Sequence, residues 1–161
     1  MSEMVQLSRE EKEVFKGTLR KFLEKEVEPS YEAWESSGIW PRELWAKLGE
    51  NGFLCVDVPS EYGGYDASFE LSCVIVEEIS RAGYGALASG VSVHSDIVTP
   101  YILHLGTEAQ KQRLLPKMVS GEFVGAIAMT DPGAGSDLQG MKTSAIKDGD
   151  EYVINGQKTF I

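Results

Sequence analysis

Near Phe123 the spacing of apolar residues changes, and no other feature of the sequence restricts the possible folds as much. Before this point apolar residues recur at intervals of three and four, which is the spacing of one helix face. After it, alternating runs are separated by the dipeptides DG and NG, which are typical of hairpin turns. The pattern predicts an α+β fold: an N-terminal all-helical domain at 1–121, then the opening strands of an antiparallel β domain at 122–161.

Capping signals indicate where the helices begin. Ser8 with Glu11, and Thr107 with Gln110, have the spacing of capping boxes. Pro41 fits the start of another helix, because proline is tolerated in the first turn. The helical domain is expected to be held by one apolar core. Its predicted members are Phe15, Leu19, Leu44, Trp45, Val74, Ile75, Ile79 and Val98.

Prolines and glycines indicate where the helices end. Pro29 is predicted to end the first helix, with a loop after it, and Pro116 to end the last one. A helix capped at Ser68 is expected to end at Gly83. The long apolar stretch at 86–105 is predicted to be one largely buried helix, bent near its proline.

Charge and polarity exclude two classes of protein. The 161 residues carry a net charge of −10 and no run of Lys or Arg, so a nucleic-acid binder is not expected. A polyanionic ligand remains possible, because it needs only a local positive field. His94, Asp96, Pro100 and His104 interrupt the apolar stretch, so a membrane span is not expected.

Isolated histidines and cysteines offer no metal site. His94 and His104 are ten positions apart, a spacing that no single helix face favours for a metal, and both are predicted to be packed or hydrogen-bonded. Cys55 and Cys73 are too few for a disulfide framework and are interpreted as small buried residues in a reducing compartment.

One carboxylate pair deserves weighing as a catalytic candidate. Glu77 and Glu78 adjoin the apolar stripe of the helix that begins at Ser68. Paired carboxylates can perform acid–base chemistry, but on a helix they more often form a solvated face. We therefore expect a solvated face and assign no catalytic residue.

The segment FVGAIAMTDPGAGSD at 123–137 has the composition of a ligand-binding loop. Its apolar run at 124–129 predicts a buried strand, after which Thr130 and Ser136 could hold a polar or anionic ligand. The glycines would allow close backbone approach. Their spacing matches neither GxGxxG nor GxxxxGK[ST], and both motifs need a helix next, whereas MKTSAIK alternates. An ordinary loop at a strand end remains the alternative.

The β part is predicted to be a meander of three runs. The runs are MKTSAIK, EYVI and QKTFI. Asp148-Gly149 and Asn155-Gly156 would form the turns between them. The chain stops at Ile161 inside the third run, so the sheet is expected to be unfinished and the chain a piece of a longer protein.

Four segments resemble the acyl-CoA dehydrogenase family of flavoproteins and follow the family's order, so the resemblance is expected to extend over essentially the whole chain. They are GFLCVDVPSEYGG at 52–64, GTEAQKQRLLPKMVSGE at 106–122, AMTDPGAGSDLQG at 128–140 and YVINGQKTFI at 152–161. The resemblance implies the N-terminal helical domain and the first strands of the middle β domain. Departures are small, since Asp131 stands where the family usually has Glu, and Cys55 where Gly is common.

The resemblance also implies FAD as cofactor. The residues that would contact it are Ile127, Ala128, Met129, Thr130, Ser136, Phe160 and Ile161. Thr130 would bring its hydroxyl near flavin N5, and Ser136 would meet the FAD pyrophosphate and the CoA part of the substrate. Phe160 would pack on the flavin where some members have Trp, without the indole donor.

The implied reaction is α,β-dehydrogenation of an acyl-CoA thioester, with an electron-transfer flavoprotein as a typical electron acceptor. The family's glutamate base lies in a C-terminal region that this sequence lacks, so the chain alone is expected to be inactive. A homotetramer or homodimer is implied for the complete protein, in the bacterial cytoplasm or, after processing, the mitochondrial matrix. The N-terminal residues MSEMVQLSREEKE are acidic and resemble no targeting signal.

Two other interpretations remain open. An acyl-CoA oxidase or flavin monooxygenase would have the same fold and differ in the access of O₂ to reduced flavin. A non-catalytic helical module acting through protein contacts would not respond to flavin.

Overall fold

The computed structural model describes residues 5–161, which form two compact units. The first extends to Ala126 and the second is Ile127–Ile161. Residues 1–4, part of the acidic segment considered for targeting signals, lie outside the described residues. The domain boundary after residue 121 stays a prediction.

The first unit is helical. Its helices, in chain order, are α1 Arg9–Phe22, α2 Tyr31–Ser37, α3 Arg42–Glu50, α4 Phe69–Arg81, α5 Gly85–Ser92, α6 Thr99–Leu105 and α7 Glu108–Val119. Both capping boxes are present, because the side chains of Ser8 and Thr107 accept from the N–H groups of Glu11 and Gln110 while those residues bond back. The expected starts of these helices are therefore confirmed.

Of the two prolines predicted to end a helix, Pro29 lies in the 3₁₀ turn that follows the first helix, as expected, whereas Pro116 does not end the last one. After α1 the chain continues as a π-helix at Leu23–Val27 and a 3₁₀ turn at Glu28–Ser30 that contains Pro29. The predicted loop to the next helix is wrong, since α2 follows directly. Pro116 lies inside α7, where it removes one N–H donor but its own carbonyl still accepts from Ser120 N–H at 3.1 Å.

The stretch predicted as one long helix consists of three consecutive helical segments. A π-helix at Val93–Val98 connects α5 to α6, directly before Pro100. A π-helical turn accommodates the proline because it changes the backbone pairing at the missing N–H. None of the helices in residues 5–161 has the length and apolarity needed to cross a membrane.

One apolar core holds the first unit together. Six of the eight predicted core residues are buried, while Phe15 and Val98 are half-buried against the same core. Phe53 lies at its centre, with its ring centroid 5.6 Å from that of Phe15 and 5.3 Å from that of Phe22. Phe53 belongs to an irregular buried segment. Cys55, in the same segment, has φ +50, which explains why glycine suits this position.

Three side chains differ from expectation in their exposure. Glu78 is 3% exposed and not solvated, because its carboxylate receives two hydrogen bonds from Arg20, at 2.6 and 2.9 Å. Cys73 is exposed although Cys55 is buried as expected, and both thiols are free. His104 is exposed, so the expectation that it packs is wrong, whereas His94 is buried.

Two glycines allow α3 and the end of α7 to approach at backbone distance. A Cβ on Gly49 would overlap the backbone of Ser120, and one on Gly121 would overlap the carbonyl of Trp45. Gly121 also has φ +74, in the left-handed region. The close approach of these elements therefore depends on two absent side chains.

The second unit contains one antiparallel hairpin. Strand β1, Ser144–Asp148, pairs with β2, Glu151–Asn155, with Asp148 opposite Glu151. Gly149, at φ +61, lies in the predicted turn. The runs at 124–129 and 157–161 are not strands, contrary to prediction, because neither has a ladder partner among the described residues. An apolar run becomes a strand only when a neighbour takes its backbone hydrogen bonds.

Candidate functional site

In the second unit, the Asp131 carboxylate contacts several segments of the chain. Its side chain is 4% exposed, and Oδ2 accepts from the backbone N–H groups of Lys142 at 2.7 Å and Thr143 at 2.8 Å. Oδ1 accepts from Thr143 Oγ1 at 2.8 Å and lies 2.8 Å from Lys158 Nζ. One carboxylate therefore connects the loop after Thr130 with two later segments of the chain.

Lys158 extends this network to the segment before Asp131. Its ammonium also donates to the Met129 carbonyl at 2.9 Å. One residue later, Thr159 N–H donates to the Thr130 carbonyl at 3.0 Å. Three contacts thus join the segments around 129–131 and 158–159. Thr130 is bonded to Thr159, the residue directly before Phe160.

The charge of Asp131 is strongly stabilised. Lys158, followed by the Thr143 N–H, holds the pKa of the Asp131 carboxyl far below its usual range. The carboxylate is therefore ionised near neutral pH. A permanent charge with this many donors acts as a fixed anchor, not as an acid–base group.

The segment 127–130 has unbonded backbone N–H groups. Its carbonyls at Met129 and Thr130 are bonded as described, but none of its four N–H groups has a hydrogen-bond partner within the described part of the chain. Ala128 and Met129 are exposed, and Thr130 and Ile127 are half-buried. The segment therefore has N–H donors left for a ligand or for another strand.

The loop at 132–136 is similarly open. Asp131 and Ala134 exchange backbone hydrogen bonds at 3.2 and 3.1 Å, which closes a tight turn at Pro132-Gly133. Gly133 and Gly135 do not have positive φ, and a Cβ on either would meet nothing within 4 Å. Within residues 5–161, nothing in the chain's own conformation requires these glycines.

The remaining residues predicted for the site are all at the surface. Ser136 is exposed, and neither its N–H nor its hydroxyl has a partner among residues 5–161. Phe160 and Ile161 are 96% and 74% exposed, and Phe160 has φ +55. The structure thus brings Thr130 and the 158–159 segment together, and it shows no contact between Ser136 and either.

In the first unit, His94 binds the backbone at Gly125. Its Nδ1 accepts from Gly125 N–H at 3.0 Å, so the ring proton lies on Nε2, 3.0 Å from the Met118 carbonyl that accepts it. Burial lowers the pKa of His94, because the imidazolium would lose water and the Gly125 bond. The expectation that His94 is a packed, hydrogen-bonded histidine is confirmed.

Cys55 packs against the same histidine. Its Sγ lies 3.5 Å from His94 Nε2 and 3.3 Å from Thr99 Oγ1, and its N–H donates to Ser95 Oγ at 3.0 Å. Burial raises the pKa of the thiol to about 11. Such a thiol is not a nucleophile at neutral pH, so its role is in packing.

An apolar depression of about 360 Å³ lies in the first unit, next to the residues that lead into 127–130. Its lining residues are Arg42, Val98, Ile102, Met118, Phe123, Val124 and Gly125. Gly125 is required here, because a Cβ would lie 2.7 Å from Val98 Cγ1. The walls suit an apolar group, with one guanidinium at the edge.

Sequence reasoning missed the two residues that organise the second unit. Asp131 was noted only as a departure from the family's usual Glu, and Lys158 was not singled out. A signal was present, because an acidic side chain and a lysine can join two segments of a chain by a charge-assisted hydrogen bond. The distance of 27 residues between them hides this signal from local patterns.

Comparison with protein families gives two matches that together span nearly the whole chain. The model described as "Acyl-CoA dehydrogenase, N-terminal domain" matches residues 9–122, and "Acyl-CoA dehydrogenase, middle domain" matches 126–161. The first match covers the helical pattern before residue 123, and the second covers the alternating runs and hairpin turns after it.

Individual relatives agree. Long-chain specific acyl-CoA dehydrogenase from Sus scrofa is 43% identical over 151 residues, which cover 94% of this chain and 35% of the relative. The crystal structure of acyl-CoA dehydrogenase from Geobacillus kaustophilus is 55% identical with a TM-score of 0.90, covering 98% of this chain and 41% of that one. The acyl-CoA dehydrogenase of Bacillus anthracis, solved with FAD, is 36% identical with a TM-score of 0.81, covering 95% and 26%. The chain therefore spans about a third of the length of the pig enzyme.

Proposed function

This chain belongs to the acyl-CoA dehydrogenase family, and from that membership we propose that it is the N-terminal part of an enzyme that dehydrogenates acyl-CoA thioesters with FAD. In this proposal residues 1–121 are the helical domain and 122–161 begin the middle β domain. The single observation that carries the proposal is the segment 127–130, whose four N–H groups have no partner among the described residues, with a glycine loop directly after it.

The residues present fit FAD. Unbonded backbone N–H donors suit the polar edge of a flavin ring, as they do other electron-rich groups. Free space at Gly133 and Gly135, with the free hydroxyl and N–H of Ser136, suits a pyrophosphate, which needs close backbone donors more than side-chain bulk. FAD, when bound, would accept a hydride from the substrate's β carbon.

Each proposed contact has a distinct role. Ile127, Ala128 and Met129 would lie along the ring, and Thr130 would direct its hydroxyl to N5. Phe160 and Ile161 would cover a ring face, which agrees with their exposure in this chain. Ser136 would bind the pyrophosphate and the CoA part of the substrate.

The substrate and partners follow from the same proposal. The apolar depression beside Gly125 suits an acyl chain, and Arg42 at its edge suits a polar or anionic neighbour of that chain. An electron-transfer flavoprotein would accept the electrons, and the complete protein would be a homotetramer or homodimer in the bacterial cytoplasm or mitochondrial matrix. No carboxylate in this chain is assigned as the base that removes the α proton.

The test is a titration of the 161-residue chain with FAD, followed by amide chemical shifts in NMR spectra. We expect shifts at 127–136 and 160–161. Thr130→Val keeps the side-chain shape and removes the hydroxyl, and Ser136→Ala removes the proposed phosphate ligand. Each should weaken FAD binding about tenfold, which corresponds to one lost hydrogen bond to a charged or polarised group.

Ser144→Ala is the matched control, because Ser144 is an exposed residue of β1 outside the proposed site. It should bind FAD as the unaltered chain does. Shifts confined to α1–α7, or equal affinities of all four proteins, would disprove the assignment of the site.

A further inference from the structure

We propose that Asp131 is a positioning residue: with Lys158 it fixes the segment 127–130 and the segment 158–161 at one spacing, so that both can contact the same flavin. This inference rests on the proposed function for its ligand, but its structural half concerns this chain alone.

The first step is the geometry of the carboxylate. Asp131 has three donors from 142–143 and one from Lys158, all between 2.7 and 2.8 Å. Its side chain is 4% exposed, so these contacts replace water almost completely. Charge-assisted hydrogen bonds in such a place are the strong ones, and losing any donor leaves a buried charge less compensated.

The second step is the route from the carboxylate to the ligand segments. Lys158 Nζ bonds both to Asp131 and to the Met129 carbonyl at 2.9 Å. The neighbouring Thr159 N–H donates to the Thr130 carbonyl. Lys158 is only 24% exposed at its side chain, so its position is set by these partners rather than by solvent.

The third step is what these contacts leave unbonded. They use the carbonyls of 129 and 130, and they leave the N–H groups of 127–130 without a partner among the described residues and the side chains of Phe160 and Ile161 exposed. Asp131 and Lys158 therefore fix both segments without using the groups that are proposed to contact the ligand. Neither residue needs to touch the ligand for its removal to misplace both segments.

The experiment uses the 161-residue chain without flavin first. Hydrogen exchange of the Thr159 amide, and its nuclear Overhauser contact with Thr130, report the spacing directly. Asp131→Asn keeps the side-chain shape and removes the charge, so Thr159 exchange should accelerate at least about tenfold. Asp131→Glu retains a carboxylate and should restore protection to within about threefold of the unaltered chain.

Three further variants keep the result decisive. Asp137→Asn changes an exposed carboxylate of the same loop, and it should leave Thr159 exchange unchanged. Lys158→Met should accelerate Thr159 exchange while the Lys142 and Thr143 amides stay protected, even if Asp131→Asn unfolds the unit. The double variant Asp131→Asn with Lys158→Met should add little to either single change, because the two residues act as one unit.

Titration with FAD then separates the two proposals. In the unaltered chain, shifts at 127–130 and at 160–161 should follow one dissociation constant, and in Asp131→Asn affinity should fall about tenfold with Asp131→Glu restoring it. No shifts in the unaltered chain would disprove the flavin site, while the exchange data would still decide the role of Asp131. Thr159 exchange within about twofold of the unaltered chain in both Asp131→Asn and Lys158→Met would overturn the positioning role.

Discussion

At the scale of single residues, the first unit depends on a buried neutral imidazole. His94 accepts from Gly125 and donates to Met118, and only the neutral ring can do both. Burial lowers the pKa of His94, and the Met118 carbonyl and the Asp96 carboxylate oppose this only in part. The folded state therefore binds a proton at this position less readily than the unfolded chain does.

Stability should fall in acid because of this residue. A depressed folded-state pKa stabilises the fold fully above the unfolded value of 6.5, and this stabilisation is lost as the pH falls below it. We expect the free energy of unfolding, measured by urea denaturation between about pH 5 and 7, to rise with pH, and His94→Gln to reduce that slope.

The control is His104→Gln, since His104 is exposed. It should keep the slope of the unaltered chain. A slope in His94→Gln equal to that of the unaltered chain would show that other groups cause the pH dependence.

At the scale of elements, α1 and α4 are joined by a polar contact within an apolar interface. Glu78 of α4 is 3% exposed and receives both hydrogen bonds of Arg20, whose side chain is 51% exposed. The guanidinium lowers the pKa of Glu78, against the opposing effect of burial. The two partners are therefore unequal, because only the carboxylate depends on the pair for its solvation.

Removing the arginine should be costly for that reason. Arg20→Ala leaves a buried carboxylate without its donors, and it should lower the free energy of unfolding by about 1–3 kcal/mol. Arg81→Ala, which breaks an exposed pair with Glu77 in the same helix, should change it by less than about 1 kcal/mol. Equal effects of the two substitutions in chemical denaturation would contradict this account.

Apolar contacts of the same two helices give a second comparison. Leu19 and Ile75 are 0% and 3% exposed, so Leu19→Ala and Ile75→Ala should each destabilise the fold by about 2–5 kcal/mol. Val14, in α1 but 67% exposed, provides the control, and Val14→Ala should have little effect on the denaturation midpoint. Midpoints that hardly move for the two buried positions would mean that these residues are not in the core.

Elements with local signals were predictable and those with distant partners were not. The helix starts at Ser8 and Thr107 follow from residues three apart, and the turn at Gly149 from a dipeptide. The predicted helix end at Pro116 was wrong because a proline removes one N–H donor but does not prevent the next helical turn from forming. Glu78 and Asp131 are paired with residues 58 and 27 positions away, which no local pattern reveals.

The candidate site was predictable in composition more than in geometry. Its glycines and hydroxyls are visible in the sequence, and the resemblance suggested what they would bind. Whether 124–129 forms a strand depends on a neighbouring strand that takes its backbone hydrogen bonds. The sequence of one strand does not identify that neighbour. The residues proposed to contact FAD therefore stay a prediction until binding is measured.

At the scale of the whole molecule, the two units differ in how much apolar surface they cover. The first has an extensive core, whereas the second exposes large side chains on its hairpin and beyond. Ile146, Tyr152, Ile154 and Phe160 are each at least 66% exposed. A unit of this kind has surface available for a ligand or for further polypeptide.

The chain alone should not dehydrogenate an acyl-CoA. A hydride does not leave the β carbon readily unless a base takes the α proton, and no carboxylate here is assigned to that role. FAD should also bind weakly, because the proposed contacts at 127–136 and 160–161 all come from one small unit and would enclose little of it. The measurement is anaerobic mixing of the chain with FAD and acyl-CoA thioesters of several lengths, followed by flavin absorbance.

Bleaching that depends on substrate, at the rate of an intact family member, would show that a base lies within these residues. A mixture without the chain controls for direct reaction of FAD with the thioester. Weak binding without bleaching agrees with the proposal.

The crossing of α3 and the end of α7 decides which positions a mutagenesis library can vary. Gly49 and Gly121 face backbone atoms, which cannot rotate away as a side chain can, so every other residue type should drop out of a selected pool there. Gly17, in the middle of α1, has nothing within 4 Å of an added Cβ. Alanine at that position should enrich instead, since it favours helix by about 1 kcal/mol over glycine. Glycines of one sequence thus differ in whether they can be replaced. The distance from an added Cβ to the nearest backbone atom distinguishes those that cannot be replaced from those at which alanine stabilises the helix.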